Sequence, residues 1–318
     1  MNKKILTALI ATITLSAYLA TTVTLPATAN AGLKSATLQT PTIAILDTAL
    51  DTNVATIQGR IAYEVCILEW NSCPNGKNFM EGPGSVNLPY NIISKNGFDH
   101  GTQMVSVFTS NNKNVNVVFV RIIGATATGT RQIANESTFI NALDWVYKNK
   151  DRFNIQAVSM SQSHHNLMPG ADYCPKTTAT QSKIKDLVDV GIPVFLPAGN
   201  LRDYNRISWP ACIPESISVG ASTDYDQIPI WSNIDTSKTD FYALGITSAM
   251  SPGTQLKNVI GTSASAQVAA AQWLTVKNLK PSLSYQQIYD LLSKTSKTIY
   301  NPKKFAGKMI NLEGALNG

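Results

Sequence analysis

Histidine is the side chain best suited to move protons near neutral pH, and this chain has three, His100, His164 and His165. His100 lies in Asp-His-Gly-Thr-Gln at 99–103, where the pattern predicts that a loop enters a helix. A ring at a helix start can face a cleft and act as a general acid or base. Taken alone, the segment fits a surface histidine equally well. His164 and His165 have no third ligand spaced for zinc, and we expect a solvated pair.

Three further segments carry polar groups of complementary chemistry. Asp47 ends the apolar run 42–47, and an acid at the carboxyl end of a parallel strand lies where α/β folds place ligands. Asn200 ends Pro-Ala-Gly-Asn after another apolar strand, so its amide could donate to a developing oxyanion. Ser263 opens an Ala-rich helix, whose dipole favours a developing anion. Each segment by itself also fits an ordinary turn or helix cap.

The four segments occur in the order Asp, His, Asn, Ser, about 53, 100 and 63 residues apart. This set resembles the subtilisin-like serine peptidases, whose triad follows the same order. The resemblance covers residues 40–318 and includes Val-Ser-Met-Ser at 158–161, Trp-Pro-Ala-Cys at 209–212 and the C-terminal segment 307–316. The Gly-x-Ser-x-Gly motif and the order Ser, Asp, His of an α/β-hydrolase esterase are absent from the sequence.

The resemblance implies a secreted serine endopeptidase that forms an acyl-enzyme. Ser263 would be the nucleophile, and His100 would take its proton and return it to the leaving amine. Asp47 would orient the imidazole and stabilise its charged form. Asn200 and the backbone N–H of Ser263 would form the oxyanion hole.

The resemblance also implies how substrate binds. Ser161, Gln162 and Ser163 would pair with an extended protein or peptide substrate as an added strand. We expect a monomer, and no cofactor is needed for the chemistry. Members of the family bind structural calcium, but the acids of this chain are too scattered to assign a calcium or other metal site. The sequence has no basic run of the kind that would indicate nucleic-acid binding.

Four places depart from the family pattern. They are Ala49 for a glycine after Asp47-Thr48, Gln103 for a second histidine, Gln267-Val268 for Pro-His, and Gln162-Ser163 for Leu-Gly. None removes a catalytic group. The alternative function is a catalytically weak or inactive subtilisin-like fold that binds peptides or proteins. The presence of all four catalytic groups favours the enzyme.

Residues 1–31 have the pattern of a secretory signal peptide: Lys3 and Lys4, an uncharged apolar run, then small residues up to Ala31. An uncleaved membrane anchor is the alternative, because residues 5–25 could just span a bilayer. We therefore expect a signal peptide at 1–31 and one peptidase domain at 32–318, without a recognisable inhibitory prodomain. Export would lead to the periplasm or the medium, with no membrane attachment after cleavage.

Composition and cysteine usage agree with an exported α/β protein. Hydrophobic residues make up 44% of the 318 positions, which excludes disorder, and the net charge is +6. Strand-like and helix-like segments alternate, so we predict an α/β fold with a mostly parallel sheet. The resemblance implies a three-layer sandwich in a single domain. Four cysteines suit two disulfides in an oxidising compartment, with three pairings open, or four buried thiols.

Overall fold

A computed structural model of the chain describes residues 40–95, 97–163, 174 and 178–318. Within-chain contacts group Gln39–Gly318 into one compact unit. The predicted signal peptide and the pair His164-His165 lie outside the described residues. The domain boundaries therefore stay a prediction.

Fourteen strands and eight helices lie in the described residues. The strands are β1 (Thr42–Asp47), β2 (Ile61–Ile67), β3 (Phe79–Glu81), β4 (Asn116–Arg121), β5 (Gly124–Ala125), β6 (Arg131–Gln132), β7 (Ile155–Met160), β8 (Val194–Pro197), β9 (Ile217–Ser222), β10 (Phe241–Leu244), β11 (Ile246–Ser251), β12 (Gln255–Ile260), β13 (Lys297–Tyr300) and β14 (Ala306–Met309). The helices are α1 (Ala55–Gln58), α2 (Tyr90–Ile93), α3 (His100–Asn111), α4 (Glu136–Asn149), α5 (Ala179–Asp189), α6 (Thr262–Leu279), α7 (Tyr285–Thr295) and α8 (Leu312–Asn317).

Ten of the strands form one sheet in the order β13-β14-β10-β9-β8-β7-β1-β4-β2-β3. All neighbours from β14 to β2 pair in parallel, and the edge strands β3 and β13 pair antiparallel. Strand β1 lies between β4 and β7. The strands that follow β1 in the chain are therefore added to the sheet on both sides of it. In open α/β sheets, ligands bind beyond the carboxyl ends of the strands at such a switch point. The predicted mostly parallel α/β fold is confirmed.

Alternating side chains of the central strands build two separate cores. In β1, Ile43 and Ile45 pack with α3 and α6, whereas Ala44 and Leu46 pack with α4 and α5. Because successive side chains of a strand point to opposite faces, a strand buried on both faces reads as a continuous apolar run. The predicted three layers, helices on each side of a central sheet, follow from this pattern.

The helices that carry the site begin where the sequence predicts. Helix α3 begins at His100, and α6 begins at Thr262 with Ser263 as its second residue. Helix α6 is buried along most of its length, and its alanines allow close packing between the sheet and α3. Helix α5 ends before Gly191, which has φ +85°, as expected for a glycine after a helix.

The cysteines form two disulfides among the pairings left open by the sequence. Cys66 pairs with Cys73 and Cys174 pairs with Cys212, and no free cysteine is found in the described residues. The alternative of four buried thiols is wrong. Two disulfides agree with an oxidising compartment.

A buried cation lies next to the switch point. Arg121 ends β4 in register with Asp47 and is fully buried. Its Nε donates to the carbonyl of Ile123 at 3.0 Å, but Nη1 and Nη2 have no hydrogen-bond partner within the described residues. Burial lowers the pKa of Arg121 to about 10. Burying an uncompensated charge costs folding free energy.

We expect Arg121→Met to raise the free energy of unfolding by about 1–4 kcal/mol, because an apolar side chain of similar length replaces an unpaired charge. Urea denaturation measures the change. Arg60→Met is the matched control, since Arg60 donates from Nη2 to the carbonyls of Asn112, at 2.8 Å, and Val115. The control should lose stability. A loss in Arg121→Met as well would contradict the inference that the partnerless Nη1 and Nη2 make the buried guanidinium unfavourable.

Candidate active site

The predicted acid and histidine meet at the carboxyl end of β1. Asp47 is fully buried, and its Oδ1 lies 2.7 Å from Nδ1 of His100, whose side chain is 25% exposed. Oδ1 also accepts the backbone N–H of Thr48 at 2.7 Å. Two donors therefore share one oxygen of the carboxylate, and the imidazole remains partly exposed.

The residues after His100 explain how α3 comes so close to β1. A Cβ on Gly101 would lie 2.4 Å from the carbonyl oxygen of Ala49, so a side chain cannot fit there. The N–H of Gly101 donates to Thr48 Oγ1 at 2.9 Å, and Thr102 Oγ1 accepts the N–H of Asp51 at 3.0 Å. His-Gly-Thr is thus a docking segment that fixes the imidazole against the strand end.

Several charges act on His100. Burial lowers its pKa, but the charge of Asp47 and their hydrogen bond raise it. Asp99 raises the pKa further and Arg131 lowers it, with the result that the pKa lies above its ordinary value of 6.5. His100 is neutral, and able to accept a proton, only above this raised pKa.

Asn200 lies beside the start of α6. Its Oδ1 accepts the backbone N–H of Thr262 at 2.9 Å and the Thr262 hydroxyl at 3.0 Å. Thr262 Oγ1 in turn accepts the N–H of Gly199 at 3.1 Å. Because both groups on Oδ1 are donors, the Asn200 amide has one orientation, which leaves Nδ2 free to donate. A Cβ on Gly261 would lie 3.3 Å from Nδ2, so glycine keeps this space open.

Ser263 is half-buried in the first turn of α6 and is tied to the end of β7. Ser161 Oγ lies 3.4 Å from the carbonyl oxygen of Ser263 and accepts a hydrogen bond from Gln267 Nε2 at 3.1 Å. Gln267 Nε2 also contacts Ser159 Oγ at 2.9 Å. Gln267, one of the departures from the family pattern, therefore ties helix α6 to strand β7.

The predicted substrate segment borders the acid. Gln162 is half-buried, and its Nε2 lies 3.3 Å from Asp47 Oδ1. Ser163 is half-buried as well. Since β7 neighbours β1, residues 161–163 continue from the sheet past the site. Their role in binding substrate stays a prediction.

A polar network beside the start of α3 is not indicated by the sequence motifs. Gln103 Nε2 donates to Asp99 Oδ2 at 2.9 Å and to Ser251 Oγ at 2.8 Å. Lys257 Nζ lies 3.1 Å from the same Asp99 oxygen. Gln103 thus joins the turn before His100 to the hairpin β11–β12. No local signal in the sequence indicates this contact.

The part of the chain that the structure describes contains no group of three or more His, Cys, Asp or Glu residues placed to hold a metal ion. None of the helices within the described ranges has the length and hydropathy needed to cross a bilayer.

The fold is that of subtilisin-like α/β proteins. The profile of the subtilase family matches residues 39–312, and the chain belongs to that family. It is 28% identical over 207 residues to Subtilisin-like protease 3 of Saccharomyces cerevisiae, covering 64% of this chain and 37% of that protein. It is 23% identical over 243 residues to Subtilisin Savinase of Lederbergia lenta, covering 73% and 82% respectively. The chain spans 37–58% of the length of several curated relatives.

A solved structure supports the fold. The crystal structure of a cold-adapted subtilisin-like serine proteinase superposes with a TM-score of 0.62 at 20% identity, covering 84% of this chain and 87% of that one. The predicted membership of the subtilisin-like family is confirmed.

Proposed function

We propose that this protein is a secreted serine endopeptidase that hydrolyses peptide bonds of proteins or peptides through an acyl-enzyme. The observation that carries the proposal is the 2.7 Å contact between the fully buried Asp47 carboxylate and His100 Nδ1. Membership of the subtilase family supports it. The two disulfides support export to the periplasm or the medium.

The contact with Asp47 selects the tautomer of His100. An ionised carboxylate only accepts hydrogen bonds, so Nδ1 carries the proton and Nε2 keeps its lone pair. Nε2 can then take the proton of Ser263 Oγ as the oxygen attacks the scissile carbonyl, and return it to the leaving amine. The buried negative charge of Asp47 stabilises the imidazolium formed in between.

The oxyanion of the tetrahedral intermediate would lie between Asn200 and α6. Asn200 Nδ2 is free to donate because Thr262 occupies its Oδ1. The N–H of Ser263 belongs to the first turn of α6, where N–H groups lack the regular helical acceptor and the dipole is positive. Both donors are fixed before the reaction, which favours the transition state.

The test of the proposal is casein hydrolysis by the purified, exported protein. A serine-directed fluorophosphonate should abolish the activity and label Ser263, and Ser263→Ala should be neither active nor labelled. Activity in the parent protein that resists both changes would contradict the proposed nucleophile. A folded parent protein without activity would favour a peptide-binding subtilisin-like module.

Asn200→Ala should lower kcat by about 10²–10³-fold with little change in KM, because the donor acts mainly on the developing oxyanion. Steady-state kinetics on a peptide anilide measures the loss. Asn205→Ala is the matched control, an exposed asparagine of the same loop, and should stay near parental activity. A kcat within threefold of the parent in Asn200→Ala would exclude Asn200 from the oxyanion hole.

A further inference from the structure

Asp47 has a third hydrogen-bond donor that the proposed mechanism does not use. Its Oδ1 accepts from the Thr48 N–H, from His100 and, at 3.3 Å, from Nε2 of Gln162. Its Oδ2 is buried and has no hydrogen-bond partner within the described residues. Among these residues, Gln162 is the side chain besides His100 that contacts the carboxylate. A leucine, usual at this position in the family, could not donate.

Arg131 fixes which way the Gln162 amide points. Arg131 Nη2 donates to Gln162 Oε1 at 3.2 Å. A guanidinium only donates and a carboxylate only accepts, so an amide between them satisfies both in a single orientation. The oxygen of Gln162 therefore faces Arg131 and its NH₂ group faces Asp47.

The Arg131 side chain reaches from β6 towards the turn before α3. Arg131 is exposed, and a Cβ on Gly97 would lie 3.3 Å from its Nη1. Gly97 has φ +91° and lies three residues before His100. The guanidinium thus borders both the predicted substrate segment and the loop that leads to the imidazole.

Charged groups face His100 from each element around it. Asp47 acts from β1, Asp99 from the preceding turn, and Arg131 from the β5–β6 hairpin. Lys257 on β12 contacts Asp99 rather than the imidazole. Arg131 is therefore the cation that opposes the two acids at His100, and Gln162 connects it to one of them.

We propose that Gln162, oriented by Arg131, is a positioning residue that fixes the rotation of the Asp47 carboxylate and takes up part of the negative charge that His100 would otherwise receive. The inference rests on the proposed function. The amide shares Oδ1 with the imidazole, so it limits both the rotation of the carboxylate and the share of its charge that His100 receives. The predicted substrate segment thereby contacts the triad through the Gln162 side chain.

Gln162→Met keeps the length of the side chain and removes both hydrogen bonds. We expect kcat to fall about tenfold with KM within twofold, since the loss of one such bond corresponds to about 1.4 kcal/mol. The acid limb of the pH profile should move to higher pH, because His100 then receives more of the Asp47 charge. Arg131→Met should move it in the same direction, and the double variant should show less than the sum of the two effects.

Gln132→Met is the matched control. Gln132 neighbours Arg131 on β6, and its Oε1 accepts from Ser72 rather than contacting the triad. It should leave kcat and the acid limb unchanged. An unchanged kcat and acid limb in Gln162→Met, or a change confined to KM, would show that Gln162 only packs near the site and would overturn the proposal.

A second readout does not require activity. The titration of His100 can be followed by NMR in the Ser263→Ala background and assigned by loss of its signal in His100→Ala, since the chain has three histidines. Its pKa should rise in Gln162→Met and Arg131→Met and stay constant in Gln132→Met. A rise without peptidase activity in the parent protein would support the positioning contact while rejecting the proposed function. A constant pKa in all variants would overturn the contact.

Discussion

Replacing Ser263 by alanine is expected to lower kcat for peptide hydrolysis by about 10⁶-fold, as when a triad nucleophile is removed from an enzyme of this kind. The covalent path disappears, because alanine has no hydroxyl to attack the substrate and the neighbouring Thr262 hydroxyl donates to Asn200 Oδ1. The residual rate would come from binding and from the oxyanion donors. Single-turnover hydrolysis of a peptide ester, which is more reactive than casein, can measure a loss of this size.

Ser265→Ala is the matched control for this loss. Ser265 lies two residues further along α6, is fully buried, and its Oγ makes no hydrogen bond within the described residues. Its removal should leave kcat within about twofold and should not lower the free energy of unfolding. Equal losses in Ser263→Ala and Ser265→Ala would indicate damage to the helix and would contradict a specific role of the Ser263 hydroxyl.

The sequence predicts those parts of the fold and site that depend on local patterns. Continuous apolar runs predict β1 and its neighbours, since strands buried on both faces have this signature. Asp47 is found at the end of such a strand and His100 at the start of a helix, as the segments indicate. Boundaries are less well predicted: the near-helical spacing of apolar residues over 136–153 predicts a helix up to Phe153, whereas α4 ends at Asn149. A turn follows, in which Asn154 has φ 48°.

The contacts that hold the site are not predictable in the same way. Gln103 meets Ser251 across 148 residues of sequence, and Lys257 meets Asp99 across 158. The dipeptide Pro252-Gly253 marks the turn of the hairpin β11–β12, but no local signal places Ser251 and Lys257 beside α3. Such pairs depend on how the layers pack, and a single sequence gives no indication of them.

The contacts of Gln162 are likewise not predictable from the motif that contains it. The sequence identifies it as a departure from Leu-Gly and assigns it to substrate binding. The structure adds the contact of its amide with Asp47 and with Arg131, which a linear pattern cannot contain because the three residues come from different strands and loops.

Asp47→Asn is expected to lower kcat/KM by about 10⁴-fold at neutral pH. The substitution keeps the shape of the side chain but removes the buried charge that stabilises the His100 imidazolium. If the new NH₂ group faces Nδ1, Nδ1 must accept a hydrogen bond, and the imidazole proton then lies on Nε2. In this tautomer Nε2 cannot accept the hydroxyl proton of Ser263. Because the Asp47 charge favours protonated His100, its loss should lower the pKa of His100 and move the acid limb of the residual activity to lower pH.

Asp99→Asn separates a direct contact from a general electrostatic effect. Asp99 is also buried and its charge also raises the pKa of His100, but its carboxylate contacts Gln103 and Lys257. Its substitution should move the acid limb in the same direction with a loss of kcat/KM below about tenfold, since coupling through charge alone is weaker than a hydrogen bond to the reacting ring. Measurement of both variants from pH 5 to 9 gives the comparison. Similar losses in the two variants would mean that the site needs negative charge near His100 but not the Asp47 hydrogen bond, and would contradict the role proposed for Asp47.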